Sequence, residues 1–202
     1  MYTDVVRIVD PLASLLADSQ AGALRVLART DAGMTGRQVA RLSGAAQHTT
    51  TKRALDRLEG IGLVQVERGL QHSVYRANRE HLLWPAIQLS LDAGSELEHR
   101  IVELIHAEQP DALSVAVFGS VARGTARDDS DLDLIVIAGT EPADEFAVLL
   151  GDRVRAWTGN DCAVLDFTQD QLRAAVESDD PIVESLRADA RTLFGTELQS
   201  LL

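Results

Sequence analysis

The chain has 202 residues, of which 46% are hydrophobic and 25% charged, so it has material for one large or two small globular domains. Its formal net charge is −12, with a large acidic excess after residue 80 and a small basic excess in residues 1–80. No apolar run is long enough to span a membrane and the N-terminus does not resemble a signal peptide, so we expect a cytoplasmic protein, and its single cysteine excludes an intrachain disulfide.

Residues 1–80 have the pattern of three helices followed by two strands. Apolar residues at helical spacing predict helices over residues 21–29, 36–42 and about 46–58. Alternation of polar and apolar residues then predicts strands at 63–67 and 73–77, with a polar tip between them.

This order of elements resembles the winged helix-turn-helix of bacterial MarR-type and ArsR-type regulators, over about residues 13–80. The sequence Gly-Leu-Val-Gln-Val at the entry to the first strand is the most telling local match. The resemblance implies that the exposed leading end of the third helix enters the major groove of DNA and that the strand pair forms the wing. The residues that it assigns to DNA are Gln47, His48, Thr49, Thr50, Thr51, Lys52 and Arg53 in the helix and Arg68 at the wing tip.

Two questions about this domain stay open on the sequence alone. Winged helices also serve as protein-binding modules, although hydroxyls, amides and basic side chains in the third helix favour DNA. A homodimer would double the phosphate contacts and read a palindromic site.

The pattern of residues 81–110 predicts a helical linker that is interrupted near Gly94. Its apolar stripe either packs in a core or pairs with a second copy of the chain.

The most specific pattern is GSVARGTARDDSDLDLIVI, which follows a short apolar strand at residues 114–118. Gly119 lets the backbone approach a bulky anion because it lacks a Cβ, and Ser120 offers a hydroxyl next to backbone amides. Arg123 can make a bidentate contact with a phosphate. Together these residues are suited to a triphosphate.

Asp131 and Asp133 stand at the start of the next predicted strand, where alternation places both carboxylates on one face. They would repel each other unless they shared a hard cation, and Mg²⁺ (or Mn²⁺) takes one or two carboxylates together with substrate phosphates. The sequence therefore predicts a site for a nucleoside triphosphate (NTP) and its metal. The alternative is a strand with a solvated acidic start.

The Gly-Ser turn, the following Ala-Arg-Gly and the Ser-Asp-x-Asp-Leu strand resemble the signature of minimal nucleotidyltransferases of the DNA polymerase β superfamily, over about residues 111–202. The resemblance implies a small mixed sheet with flanking helices and transfer of a nucleoside monophosphate with release of pyrophosphate. It also implies that Asp131 and Asp133 are catalytic metal ligands. The family carries a third carboxylate on a neighbouring strand, where Ala163 stands here, so Asp161 on the same face is the candidate for the third catalytic carboxylate.

The predicted fold class is α+β, with a winged helix at 1–80, a helical linker at 81–110 and a nucleotidyltransferase domain at 111–202. We expect a DNA-binding, Mg²⁺-dependent nucleotidyltransferase with an unidentified acceptor and a role in transcription regulation. Two alternatives stay open. One is a winged-helix regulator whose C-terminal domain senses nucleotide with little or no turnover, and the other is an antitoxin-type nucleotidyltransferase that acts on a partner protein.

Overall fold

The computed structural model describes residues 7, 10–44, 48–125 and 130–202. The chain divides into two compact units, one comprising Asp10–Asp92 and the other containing Ala93–Leu202. Each unit has its own buried hydrophobic cluster. None of the helices in the described ranges is long and apolar enough to cross a membrane.

The first unit packs helices around a leucine-rich core and closes it with a small sheet. The helix at Gly36–Leu42 begins at a capping box, in which the Gln38 N–H donates to Thr35 Oγ1 at 3.4 Å and the Thr35 N–H donates to Gln38 Oε1 at 2.8 Å. The core includes the fully buried Leu24, Leu27 and Leu55. The helices are α1 (Asp18–Ala28), α2 (Gly36–Leu42), α3 (His48–Gly60) and α4 (Trp84–Leu91), preceded by a 3-10 turn at Pro11–Ser14.

The sheet of this unit has three antiparallel strands in the order β1-β3-β2: β1 (Met34–Thr35), β2 (Val64–Arg68) and β3 (Ser73–Ala77). The hairpin of β2 and β3 is the predicted wing. β1 was not predicted, because two residues are too few to show an alternation. Three helices followed by a hairpin confirm the expected winged-helix organisation.

The second unit is a four-stranded mixed sheet between two layers of helices. Its strand order is β6-β5-β4-β7, with β5 parallel to β6 and β4 antiparallel to both of its neighbours. The strands are β4 (Ser114–Phe118), β5 (Leu132–Ala138), β6 (Cys162–Thr168) and β7 (Arg191–Gly195). The helices are α5 (Ala93–Glu108), α6 (Gly119–Ala122), α7 (Asp144–Thr158), α8 (Gln169–Glu177) and α9 (Pro181–Asp189), followed by a 3-10 turn at Leu198–Ser200.

Alternation along β5 divides its side chains between two cores. Leu132 and Leu134 pack with side chains of α5 and α7, whereas Ile135 and Ile137 pack with side chains of α8 and α9. By the same alternation Asp133 belongs to the face of α8 and α9. The expected α+β fold with a small mixed sheet and flanking helices is confirmed.

Two local details complete this description. The chain after residue 168 contributes the edge strand β7 as well as helices. The expected interruption near Gly94 lies at Asp92, between α4 and α5. The apolar stripe is shared between two cores, since Trp84 and Ile87 belong to the first and Leu97, Ile101 and Ile105 to the second.

Candidate active site

An antiparallel strand pair brings the glycine-serine turn and the two aspartates together. β4 ends at Phe118, and α6 follows without an intervening residue. Phe118 is in register with Asp133 of β5. Gly119, the next residue, therefore lies beside the Asp133 carboxylate.

The contact between Gly119 and Asp133 leaves no room for a side chain on the glycine. A Cβ built on Gly119 would collide with Asp133 Oδ2 and would lie 3.2 Å from Asp133 Cγ. Gly119 also has a φ of 72°, in the left-handed region that glycine adopts without strain. Both the contact and the backbone conformation require glycine here.

The turn is fixed at its far end as well. The Thr125 N–H donates to the Ser120 carbonyl at 3.0 Å, and the Gly124 N–H donates to the Val121 carbonyl at 3.0 Å. Gly124 has a φ of 68°, and a Cβ built there would have no neighbour within 4 Å among the described residues. The turn is thus bounded by two left-handed glycines, of which the first is in close contact with Asp133.

The electrostatics of Asp133 show that negative charge is concentrated at this point. Burial, and next the charge of Asp131, raise the pKa of the Asp133 carboxyl; Asp189 adds to the rise and Arg123 opposes it. The same field reaches β6, where burial and then the charges of Asp133 and Asp131 raise the pKa of the Cys162 thiol to about 12. A cation bound between Asp131 and Asp133 would relieve this repulsion.

The donor set fits a metal that arrives with a nucleotide. Within the described parts of the chain, no group of three or more His, Cys, Asp or Glu residues is arranged to hold a metal. Asp131 and Asp133 are two carboxylates, and Mg²⁺ commonly takes one or two and completes its shell with water and substrate phosphates.

Asp161 lies immediately before the first residue of β6, next to the start of β5. The Leu132 N–H donates to its carbonyl at 3.0 Å, and its exposed carboxylate pairs with Arg155 of α7 at 3.3 Å. The β6 residue in register with Asp133 is Ala163. The Asp161 backbone is therefore joined to β5, its carboxylate is paired with α7, and the position opposite Asp133 carries only a methyl group.

Sequence reasoning missed Asp189, the last residue of α9. Arg123 Nη1 donates to Asp189 Oδ2, and the Asp189 side chain is only 5% exposed, against 50% for Arg123. This carboxylate is 66 residues away from Arg123 along the chain. No local pattern could have identified it, because the pair forms only when α9 packs beside the turn.

The structure corrects one residue of the predicted DNA-binding face and leaves others accessible. Thr51 was expected on the exposed leading end of α3, but it is 1% exposed, since it continues the inner stripe of Ala54, Leu55 and Leu58 at helical spacing. Five expected residues are exposed on this unit, namely Thr49, Thr50, Lys52 and Arg53 on α3 and Arg68 on β2. Gln47 and the side chain of His48 lie outside the described residues.

Two basic residues of this unit form ion pairs with acidic residues of α3. Lys52 Nζ is 2.8 Å from Asp56 Oδ2, and this hydrogen bond, together with the Asp56 charge, raises the pKa of Lys52. Arg68, at the end of β2, pairs with Glu59 at 2.6 Å and so fastens the wing to α3.

A groove of about 510 Å³ lies among α2, α3 and the wing. Arg37, Lys52 and His72 are part of its lining, together with polar residues such as Thr35 and Ser73. Its basic and hydroxyl groups have the chemistry that contacts a phosphate backbone.

Comparison with known proteins finds a family match within the second unit. Residues 100–183 match the family model described as "Polymerase beta, Nucleotidyltransferase". No curated protein matches the sequence.

Several solved structures resemble parts of the chain. A toxin-antitoxin structure with AMP-PNP is 22% identical over 50% of this chain and 75% of that chain, with a TM-score of 0.39. A MarR-family transcriptional regulator from Rhodococcus sp. RHA1 is 18% identical over 52% of this chain and 84% of its own, with a TM-score of 0.36. TrmBL2, an archaeal chromatin protein, is 16% identical over 90% and 77%, with a TM-score of 0.33.

Proposed function

We propose that the second unit transfers a nucleoside monophosphate from an NTP to an acceptor, and that the first unit binds DNA. Residues 100–183 of the second unit match the polymerase β nucleotidyltransferase family model, which supports the transfer activity. The observation that carries the transfer activity is the junction of Gly119 with Asp133. It places the glycine-serine turn directly beside a carboxylate whose charge is repelled by the neighbouring Asp131 and Asp189.

Each residue of the junction has a proposed task. The Gly119–Ser120 turn receives the phosphates, to which the serine adds a hydroxyl donor. Arg123 supplies positive charge to the phosphates. Asp131 and Asp133 would hold Mg²⁺ or Mn²⁺, which when bound neutralises phosphate charge.

In the proposed reaction, a hydroxyl or amine of the acceptor attacks the α-phosphorus. A bond forms between the acceptor atom and that phosphorus, the bond from the α-phosphorus to the bridging oxygen breaks, and pyrophosphate leaves with the bond electrons. The acceptor loses one proton, and the exposed carboxylate of Asp161 is our candidate for the base that accepts it. The acidic excess after residue 80 favours a protein or a small molecule over a free nucleic acid as acceptor, because it repels a phosphate backbone.

A second candidate function is nucleotide sensing with slow turnover. Ala163, in register with Asp133, favours it, because a methyl group there can neither bind a metal nor accept a proton. In that case the bound NTP would act as a signal for the DNA-binding unit.

The experiment is incubation with each of the four NTPs and Mg²⁺, with NTP binding and pyrophosphate release measured separately. We expect release by the native chain and its loss in Asp131→Asn and Asp133→Asn, while Asp152→Asn, on α7, serves as the charge control. Tight binding without release would favour the sensor. No binding of any NTP would contradict both functions.

DNA binding requires its own measurement. The exposed residues of α3 and the basic groove support it, and we expect the chain to bind double-stranded DNA with an affinity that falls steeply as salt rises. Fluorescence anisotropy at several salt concentrations measures this. Binding that is absent at low salt would leave the first unit as a protein-binding module.

A further inference from the structure

We propose that Asp189 is a positioning residue, which anchors Arg123 so that the outer edge of its guanidinium faces the triphosphate. The inference rests on the proposed function, since it concerns the same phosphate-binding turn. It assigns a task to a residue on α9, outside the motif that defines the turn.

The place of Asp189 is unfavourable for a carboxylate unless a cation stays beside it. It is the last residue of α9, where the helix dipole disfavours negative charge, and its side chain is 95% removed from solvent. Arg123 offsets both costs through the ion pair with Oδ2. None of the described residues donates to the second oxygen, Oδ1, so Arg123 is the main compensation for this buried charge.

The division of burial between the partners shows which one can meet a ligand. Asp189 is closed off, whereas half of the Arg123 side chain remains exposed. A guanidinium has five N–H donors in a planar fork, and the contact with Oδ2 uses one nitrogen. No other described residue accepts a hydrogen bond from the Arg123 side chain, so its remaining donors can contact a phosphate while the inner edge stays paired.

The pair also lies within electrostatic reach of the metal-binding aspartates. The charges of Arg123 and Asp189 act on Asp133 in opposite directions. Arg123 directly follows α6, so its backbone is fixed by the same turn that receives the phosphates. A triphosphate on Gly119 and Ser120 therefore comes close to an arginine that is already oriented.

The test is a double-mutant cycle with Arg123→Ala and Asp189→Asn, the second of which keeps the shape of the side chain and removes its charge. Calorimetry with inorganic tripolyphosphate and with the four NTPs, each with Mg²⁺, gives the dissociation constants. We expect Arg123→Ala to weaken binding by about tenfold, in line with the loss of a charge-assisted contact. Asp189→Asn should weaken it by about threefold, because Arg123 remains but is less well oriented.

Non-additivity distinguishes positioning from a general structural effect. If Asp189 acts through Arg123, the double variant binds tripolyphosphate no more weakly than Arg123→Ala alone. Glu96→Gln, which breaks the exposed pair of Glu96 with Arg100 on α5, is the control and should bind as the native chain does.

Additive losses in the double variant would overturn the proposal. So would unchanged or tighter binding in Asp189→Asn, or native binding with loss of pyrophosphate release alone. If Asp189→Asn does not fold, the comparison of Arg123→Lys with Arg123→Ala takes its place. The lysine variant should bind tripolyphosphate more tightly than the alanine variant, and equal affinities would overturn the assignment of Arg123. If the native chain binds neither NTP nor tripolyphosphate, the proposed function itself fails.

Discussion

Gly119 and Asp133 approach each other so closely that a Cβ on the glycine would collide with Asp133 Oδ2. Gly124, at the other end of the same turn, has nearly the same φ, 68° against 72°, and a Cβ built there would have no described residue within 4 Å. Substitutions at the two glycines can therefore separate the effect of a positive φ from the effect of the contact with Asp133.

We expect Gly119→Ala to abolish NTP binding, because the methyl group displaces the Asp133 carboxylate. It should also lower the free energy of unfolding by about 1–3 kcal/mol through backbone strain and the collision. Gly124→Ala, the matched control, should lose only about 1 kcal/mol and keep most of its NTP affinity. Denaturant unfolding and calorimetry measure the two quantities, and equal loss of affinity in both variants would refute the role of the contact.

A second prediction concerns the buried hydroxyl of Thr51. No residue in the described part of the chain forms a hydrogen bond with Thr51 Oγ1, although the side chain is only 1% exposed. Thr51→Val replaces this hydroxyl with a methyl group of similar shape, so we expect the free energy of unfolding to stay the same or to rise by about 1 kcal/mol. DNA affinity should not change. A clear loss of DNA affinity at an unchanged free energy of unfolding would show that Thr51 belongs to the DNA interface.

A third prediction places the DNA contact at one end of α3. Arg53 and Arg57 are both exposed on this helix and are one turn apart, with Arg53 nearer the N-terminal end. Recognition helices contact DNA through their leading end, so Arg53→Ala should weaken binding and reduce the salt slope by about one. Arg57→Ala should have a smaller effect. Anisotropy titrations over a range of salt concentrations test this, and the reverse order of effects would contradict the docking of α3.

The sequence predicted the parts of the molecule that are encoded by short-range patterns. Gly119, Asp131 and Asp133 lie within one stretch of 15 residues, and the antiparallel pairing of β4 with β5 places Gly119 beside Asp133. Their apolar flanks fix which face each side chain takes, so alternation alone was sufficient.

The rest depends on contacts between distant segments. Asp189 meets Arg123 only because α9 packs beside α6, and β7 is a strand only because the β4 edge of the sheet offers it hydrogen bonds. Thr51 was misplaced for a different reason. A polar residue at an inner helical position resembles an exposed one when composition is weighed more heavily than spacing.

The last prediction concerns the paired carboxylates of Asp144 and Asp166, in a cleft of about 520 Å³ between α7 and β6. Burial, and then the hydrogen bond and the charge of Asp144, raise the pKa of Asp166. A raised pKa means that the folded state favours the protonated carboxyl. The stabilising contribution is therefore complete below the ordinary Asp pKa of about 3.9 and is lost as the pH rises through the higher value in the folded state.

Asp166→Asn keeps an oxygen that accepts hydrogen bonds and removes the charge, so it should relieve the repulsion wherever Asp166 is ionised. We expect the variant to have a higher Tm than the native chain at pH 7, and the difference to shrink as the pH falls toward 4. Asp152→Asn removes one carboxylate from the same cleft and shows how much of the gain comes from lower net charge alone. Thermal unfolding at several pH values measures both variants. A Tm gain for Asp166→Asn that is no larger than that of Asp152→Asn at pH 7, or that does not change with pH, would show that the repulsion between Asp144 and Asp166 is not a significant cost to the fold.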